Sequence, residues 1–244
     1  EYRRQRQMCI RDRVPVYIDC ELDTFNMDPD KIEEAVSSKT KAIFSVPIYG
    51  NPCNMDAILS ICEKHNLMLI EDCCESMGAT YKGKSVGSFG RVGSFSFYYS
   101  HHITTLEGGI CVTDDFELAE MMRIIRAHGW IRQVEDKEKW TKKHPGFDPK
   151  FLFVNEGYNL RITEPQASMG LIQIDKLDGF IEKRISNASN YRSSFSKYSD
   201  FFSFQETTKD AKNSHFGFPF IVKKNNFFNR DEICPGEDKS AYND

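Results

Sequence analysis

Apolar residues along the chain come in short blocks, and the spacing within successive blocks alternates between that of a helix and that of a strand. Asp28-Pro29 opens the first helix, with Asp placed to cap free N–H groups and Pro suited to the first turn. Ile32, Ala35 and Val36 then share one face. "KAIFSVPI" (41–48) is a buried-strand run that ends in a turn at Tyr49-Gly50-Asn51-Pro52. "MDAILSICEKHN" (55–66) has helical spacing, with Ile58, Leu59 and Cys62 facing inward. "LMLIED" (67–72) is almost continuously apolar, the mark of a strand covered on both faces of a parallel sheet. Strand and helix alternating at these intervals predict a doubly wound α/β core.

The later blocks extend the pattern. "GATYKGKSVGSFG" (78–90) is rich in glycine and turn residues and reads as a short excursion. "SFSFYY" (94–99) and "GGICVTDD" (108–115) read as strands, and "DFELAEMMRIIRAHG" (115–129) as a helix stopped by Gly129. Residues 131–153 are charged and aperiodic and read as a long surface loop. Thr163 and Gln166 form a capping box. After it, Ala167, Leu171, Ile174, Leu177 and Ile181 keep helical spacing, predicting one long helix that leads into a second domain. The clear strand of that second domain is "FGFPFIVK" (216–223).

Composition narrows the classes. The 244 residues carry 32 basic and 36 acidic side chains, a net charge of −4, which leaves no basic footprint for nucleic acid and no polybasic membrane patch. No apolar run approaches the ~18 residues of a membrane span, and no signal-peptide pattern opens the chain, so the cytoplasm is the expected compartment. Eight cysteines occur without C-x-x-C spacing and read as reduced core thiols, not as a disulfide frame or zinc site. The two ends stand apart. "EYRRQRQMCIRDR" resembles translated sequencing-adapter sequence of the kind found at the edges of metagenomic reads, and "CPGEDKSAYND" interrupts a helical segment. The expected native portion runs from about Val14 to about Ile233.

Candidate chemistry collects at predicted strand ends, where open parallel sheets bind ligands. Asp72 closes one strand, the pair His101-His102 follows another, and the 49–52 turn follows a third. Asp72 can pair with a basic side chain or hold a protonated ring nitrogen. Glu75 can favour a helix dipole or reach the same ligand, and Ser96 can bind phosphate or simply pack. Adjacent residues on a strand point to opposite faces, so two neighbouring imidazoles make a poor metal site and no metal is expected. One of them acting as an acid/base, with its neighbour in support, fits better.

The block "IEDCCESMGATYKGKSVGSFGRVGSFSFYYSHHITTLEGGICVTDD", flanked by "YGNPCNMDAI" and "EGYNLRITEPQASMGLIQIDKLDGFIEKR", resembles the DegT/StrS family, and the likeness covers most of the chain. That resemblance implies a fold-type-I, pyridoxal-phosphate-dependent architecture: an incomplete three-layer α/β/α large domain plus part of a smaller C-terminal α+β domain. Together with the reading of the two ends, it gives an expected non-native leader at 1–13, the cofactor-binding large domain at 14–175, the start of the small domain at 176–233 and a non-native or truncated tail at 234–244. It also implies that Asp72 holds the pyridinium nitrogen, that Ser96 binds the cofactor phosphate, and that Asn159 reaches the phosphate in a neighbouring subunit of a homodimer. Glu75 stands where the aminotransferases of the family usually carry glutamine.

His101 occupies the position of the lysine that tethers the cofactor in those aminotransferases. This departure resembles the sugar 3-dehydratase branch, in which the cofactor works as pyridoxamine phosphate held without a covalent link. The expected reaction removes the C-3 hydroxyl of a nucleotide-linked 4-keto-6-deoxy sugar, with His101 as base. A 3-deoxy-4-keto sugar and ammonia leave, and glutamate recharges the cofactor. Three rivals remain: an iron–sulfur CDP-hexose dehydratase, which the cysteine spacing disfavours; a non-catalytic lysine-less relative; and an aminotransferase with a displaced lysine, for which Lys82 and Lys84 are the nearest candidates.

Overall fold

The computed structural model describes residues 13–225, 227–228 and 230–233; the segments expected to be a leader (apart from Arg13) and a tail, with Cys9 and Cys234, lie outside them. Helix α1 (Pro29–Ala35) starts as expected, the Asp28 carboxylate accepting from the N–H of Asp30. Strand β1 (Ala42–Ser45), helix α2 (Met55–His65) and strand β2 (Met68–Asp72) follow. A small hairpin, β3 (Thr80–Tyr81) and β4 (Lys84–Ser85), leads to β5 (Val92–Ser96) and β6 (Gly109–Val112). The main sheet runs β1-β2-β5-β6, with β1, β2 and β5 parallel and β6 antiparallel to β5. Ser45, Asp72 and Ser96 therefore end their strands along one edge.

One face of the sheet is packed. Ile43 and Leu69, side by side in the β1–β2 register, meet Ile32, Met55, Ile58, Ile61 and Cys62 from α1 and α2. Burial of this kind contributes on the order of 25 cal/mol per Å² of apolar surface. The other face carries Phe44 and Met68, which are 50% and 43% exposed, so the apolar run 67–72 is not covered on both sides by the described residues. Periodicity registers that a strand is apolar, not which layer of chain lies over it.

Helix α3 (Phe116–Arg126) is capped by Asp115 and stops three residues before Gly129. The 154–160 segment explains the stop. Tyr158 and Leu160 donate their N–H groups to the carbonyls of Ile125 and Arg126, using up the last helical acceptors. Gly129 has φ +85°, and a Cβ there would lie 1.7 Å from the Asn155 carbonyl oxygen; no other residue fits.

The segment read as a loop, 131–153, is folded. A short 3₁₀ turn (Ile131–Gln133), helix α4 (Lys137–Lys143) and another 3₁₀ turn (Pro149–Phe151) enclose a second core of Ile124, Ile131, Val134 and Leu152, flanked by Trp140 and Val154. Glu120, 3% exposed, anchors it by accepting from the backbone N–H groups of Glu135 and Asp136 and from Arg123. The apolar residues are too irregularly spaced to show a period, so composition alone concealed this unit.

The predicted long helix is two helices. Both halves of the capping box at Thr163 and Gln166 form, and α5 (Glu164–Ile174) gives way at Asp175–Lys176 to α6 (Leu177–Phe195). Ile181 is buried, whereas Leu171 and Ile174 stand exposed. Beyond α6, β7 (Phe202–Phe204) pairs antiparallel with β9 (Phe220–Val222), and β8 (Ala211–Lys212) joins the β3–β4 hairpin. A final turn of helix, α7, spans Arg230–Ile233.

Candidate active site

The sheet edge is assembled from the backbone outward. Parallel pairing of β1, β2 and β5 sets the turn at 48–50, Asp72 and the residues after Ser96 side by side. Tyr49 adopts a left-handed conformation (φ 55°), and its N–H donates to Oε2 of Glu75 at 3.1 Å. Asp72, 8% exposed, accepts from the N–H of Cys74 at 3.2 Å. Its neighbour Glu71 points the other way and is fully buried, accepting from the N–H groups of Gly87, Phe89 and Gly90 at 2.6–2.7 Å. Alternation along the strand thus gives one acid to the scaffold and one to the edge.

The strand read as "SFSFYY" ends at Ser96, so the histidine pair lies in the connecting loop 97–108 and not at a strand terminus. Ser96 Oγ accepts from the Tyr98 N–H at 3.1 Å. The loop is held by Thr104 Oγ1, bonded to the Phe97 carbonyl, and by Thr105 Oγ1, bonded to that of Glu107. Gln166 of the capping box donates its amide to the Glu107 carbonyl at 2.8 Å, tying α5 to the same loop. The short polar run Thr104–Gly108 is therefore a brace for the histidines.

His101 is half-buried. Its ring packs 5.1 Å from that of Phe216 and 5.8 Å from that of Tyr98, centroid to centroid. Burial lowers its pKa below the ordinary histidine value, opposed by the nearby negative charges of Glu75 and Asp72. The ring is thus the free base near neutral pH, with two carboxylates close enough to steady a proton it picks up. His102 is 4% exposed and its pKa is pushed down to about 4, chiefly by burial.

Asp72, Glu75 and His101 are brought together, and Ser96 ends the adjoining strand. Asn159 is not part of this group: it is exposed and bridges to Ala127 at the end of α3. Sequence reading missed the 213–216 segment, which crosses the site from the far end of the chain. Ser214 and Phe216 donate their N–H groups to the carbonyls of Gly50 and Tyr49. The signal was present in "NSHFGFPF", but nothing in its spacing connects it with residues over a hundred positions earlier. The lysines named as displaced candidates lie on the hairpin: Lys82 pairs with Asp56, and Lys84 sits over the Phe89 ring.

Three cysteines, Cys53, Cys62 and Cys73, are core thiols. Burial pushes Cys53 up to about 12 and raises the other two, so none is a nucleophile near neutral pH. Cys20 and Cys111 are at the surface, so the core reading fails for them. No helix among the described residues is long and apolar enough to cross a membrane.

A mixed, mostly parallel sheet with two acids at its carboxyl edge, an imidazole pair in the loop beyond it and helices packed behind it matches the α/β fold of the pyridoxal-phosphate-dependent aminotransferase-like class. The chain belongs to the DegT/DnrJ/EryC1/StrS aminotransferase family, whose sequence model matches residues 8–237. It is 43% identical over 210 residues to the GDP-4-keto-6-deoxy-D-mannose 3-dehydratase of Escherichia coli O55:H7, covering 85% of this chain and 53% of that protein. The Yersinia pseudotuberculosis protein of the same name is 41% identical over 219 residues, or 89% of this chain and 55% of the relative. The solved E. coli GDP-4-keto-6-deoxy-D-mannose-3-dehydratase with bound hydrated PLP superposes with a TM-score of 0.82 at 42% identity, covering 89% of this chain and 56% of that one. The chain spans about half the length of these relatives.

Proposed function

We propose that this chain carries the cofactor-binding part of a pyridoxal/pyridoxamine-phosphate-dependent lyase, one that removes the C-3 hydroxyl of a nucleotide-linked 4-keto-6-deoxy sugar in deoxysugar and surface-polysaccharide synthesis. The supporting observation is the half-buried imidazole of His101 beside Asp72 and Glu75; the resemblance read from the sequence puts that imidazole where the family's aminotransferases carry the tethering lysine. Relatives named as 3-dehydratases agree with it.

The residues present fit the cofactor. Asp72 supplies a fixed carboxylate for a ring nitrogen, Ser96 a hydroxyl for phosphate, and Glu75 a second carboxylate. Nδ1 of His101 is buried with no hydrogen-bond partner among the described residues, as expected of a group waiting for a ligand. Asn159, exposed on its own side, is assigned to the phosphate of a partner subunit in a homodimer. When bound, the pyridoxamine form supplies the amine that joins the sugar's 4-keto carbon and a ring able to take up an electron pair.

The protein's own residues do the rest. Asp72 keeps that ring nitrogen protonated by its negative charge. His101, unprotonated at neutral pH, accepts a proton beside it and delivers it to the departing hydroxyl, a two-way role suited to imidazole. The Phe216 and Tyr98 rings limit water around that proton. Glutamate is the proposed amino donor and the cytoplasm the proposed compartment. The test incubates the protein with a 4-keto-6-deoxy sugar nucleotide, pyridoxal phosphate and glutamate and weighs the product. Loss of one oxygen from the sugar supports the reading; a sugar that gains nitrogen and keeps its oxygen rejects it.

A further inference from the structure

His102 has a job of its own. Its Nε2 lies 3.2 Å from the Ser214 carbonyl oxygen, which can only accept, so the proton of this imidazole sits on Nε2. The next two carbonyls, of His215 and Phe216, both accept from Nη1 of Arg184, at 3.2 and 2.9 Å. Three successive carbonyls of one segment are thus taken by side chains. The intervening N–H groups are taken as well: Ser214 and Phe216 by the 49–50 turn, and His215 by Oδ1 of Asn213 at 2.7 Å. Gly50, at φ +90°, lets the two backbones touch, since a Cβ there would lie 2.8 Å from the backbone N of His215. The product of this locking is the placement of Phe216, whose ring centroid lies 5.1 Å from His101 and 5.8 Å from His102.

We propose that His102 is a positioning residue: by donating Nε2–H to the Ser214 carbonyl it pins the 213–216 segment and so holds the Phe216 ring against His101. The inference rests on the reading of His101 as the base. The chemistry of the site requires a neutral donor here. Arg184 and His101 both face His102, and a second cation between them would be repelled; burial holds the ring neutral throughout the physiological range. Phe216, in turn, excludes water from one side of His101 and keeps that imidazole a free base. The charged and titratable groups facing His101 are Asp72 from β2, Glu75 beyond it, Tyr98 on its own loop and His102.

The test follows the His101 ring by NMR during a pH titration of the full chain without cofactor, its resonance assigned by its loss in His101→Asn. His102→Phe keeps a ring and loses the donor. The His101 midpoint is then expected to rise by about half a pH unit or more as Phe216 loosens and water returns. His102→Gln, which keeps an N–H donor, should stay within about 0.2 unit of the parent. Phe216→Leu should reproduce the rise with His102 intact, which preserves the test if His102→Phe fails to fold. In turnover, the acid limb of kcat/KM should move up with the ring's midpoint while KM changes little. A parent-like midpoint in His102→Phe or Phe216→Leu overturns the proposal, as does an equal rise in His102→Gln. The ring titration needs no substrate. A protein that shows the rise but leaves the sugar's 3-oxygen in place keeps the positioning and loses the dehydratase reading.

Discussion

Glu71 on β2 and His101 in the loop after β5 are both shielded polar groups, and their surroundings differ in one respect. The Glu71 carboxylate is fully buried and accepts three backbone N–H groups from the 87–90 turn. The histidine pocket is also shielded from water, but Nδ1 of His101, Nδ1 of His102 and Ser214 Oγ lack hydrogen-bond partners among the described residues. A satisfied buried charge fixes a fold, whereas buried polar atoms left open cost stability and are kept where a ligand completes them. The β2 strand supports both uses because its alternation turns Glu71 toward the scaffold and Asp72 toward the edge.

The largest expected effect breaks the pocket side of this comparison. His101→Asn removes the base and should lower turnover by about 10²- to 10⁴-fold, with a denaturant midpoint unchanged or slightly higher. A variant that loses stability along with activity would show the imidazole to be structural. The scaffold side breaks in the opposite sense. Glu71→Gln can no longer accept from three N–H groups with a full charge, and urea unfolding should show a loss of about 2–3 kcal/mol. A neutral result would remove the distinction between the two regions.

A smaller effect sharpens the comparison through pH. His102 titrates at about 4 in the folded chain, and an unfolded histidine near 6.5. Between those values the unfolded state binds the extra proton. Stability is therefore fully present above about 6.5 and falls as pH drops toward 4, with a slope of at most about 1.4 kcal/mol per pH unit from this ring. Unfolding at pH 7, 6 and 5 measures it, and His102→Gln should flatten the slope. An unchanged slope would mean that His102 is not the group responsible.

Much of this was legible in the sequence where local chemistry and the global fold agree. The Asp28 cap, the apolar face of α2, the β2 run and the Thr163–Gln166 capping box each follow from a pattern a few residues long. The 131–153 unit was not legible, because its core is built from isolated residues such as Ile131, Val134 and Leu152 that meet only once α3 exists. The break at Asp175–Lys176 was hidden by apolar positions that keep helical spacing through it. At the site, the convergence of Asp72, the histidine pair and the 49–52 turn is expected from predicted strand ends, although the pair lies in the loop beyond β5 and the sequence leaves Glu75 open between a helix dipole and the ligand. The lock from Ser214, Phe216 and Arg184 was not, since it depends on contacts spanning more than a hundred residues.

The account turns on an imidazole in place of a tethering amine, and borohydride reduction of the protein loaded with pyridoxal phosphate, followed by intact-mass measurement, addresses it directly. The parent should gain no covalently fixed cofactor, while His101→Lys should gain one cofactor per chain. A stable adduct on the parent protein would contradict the account.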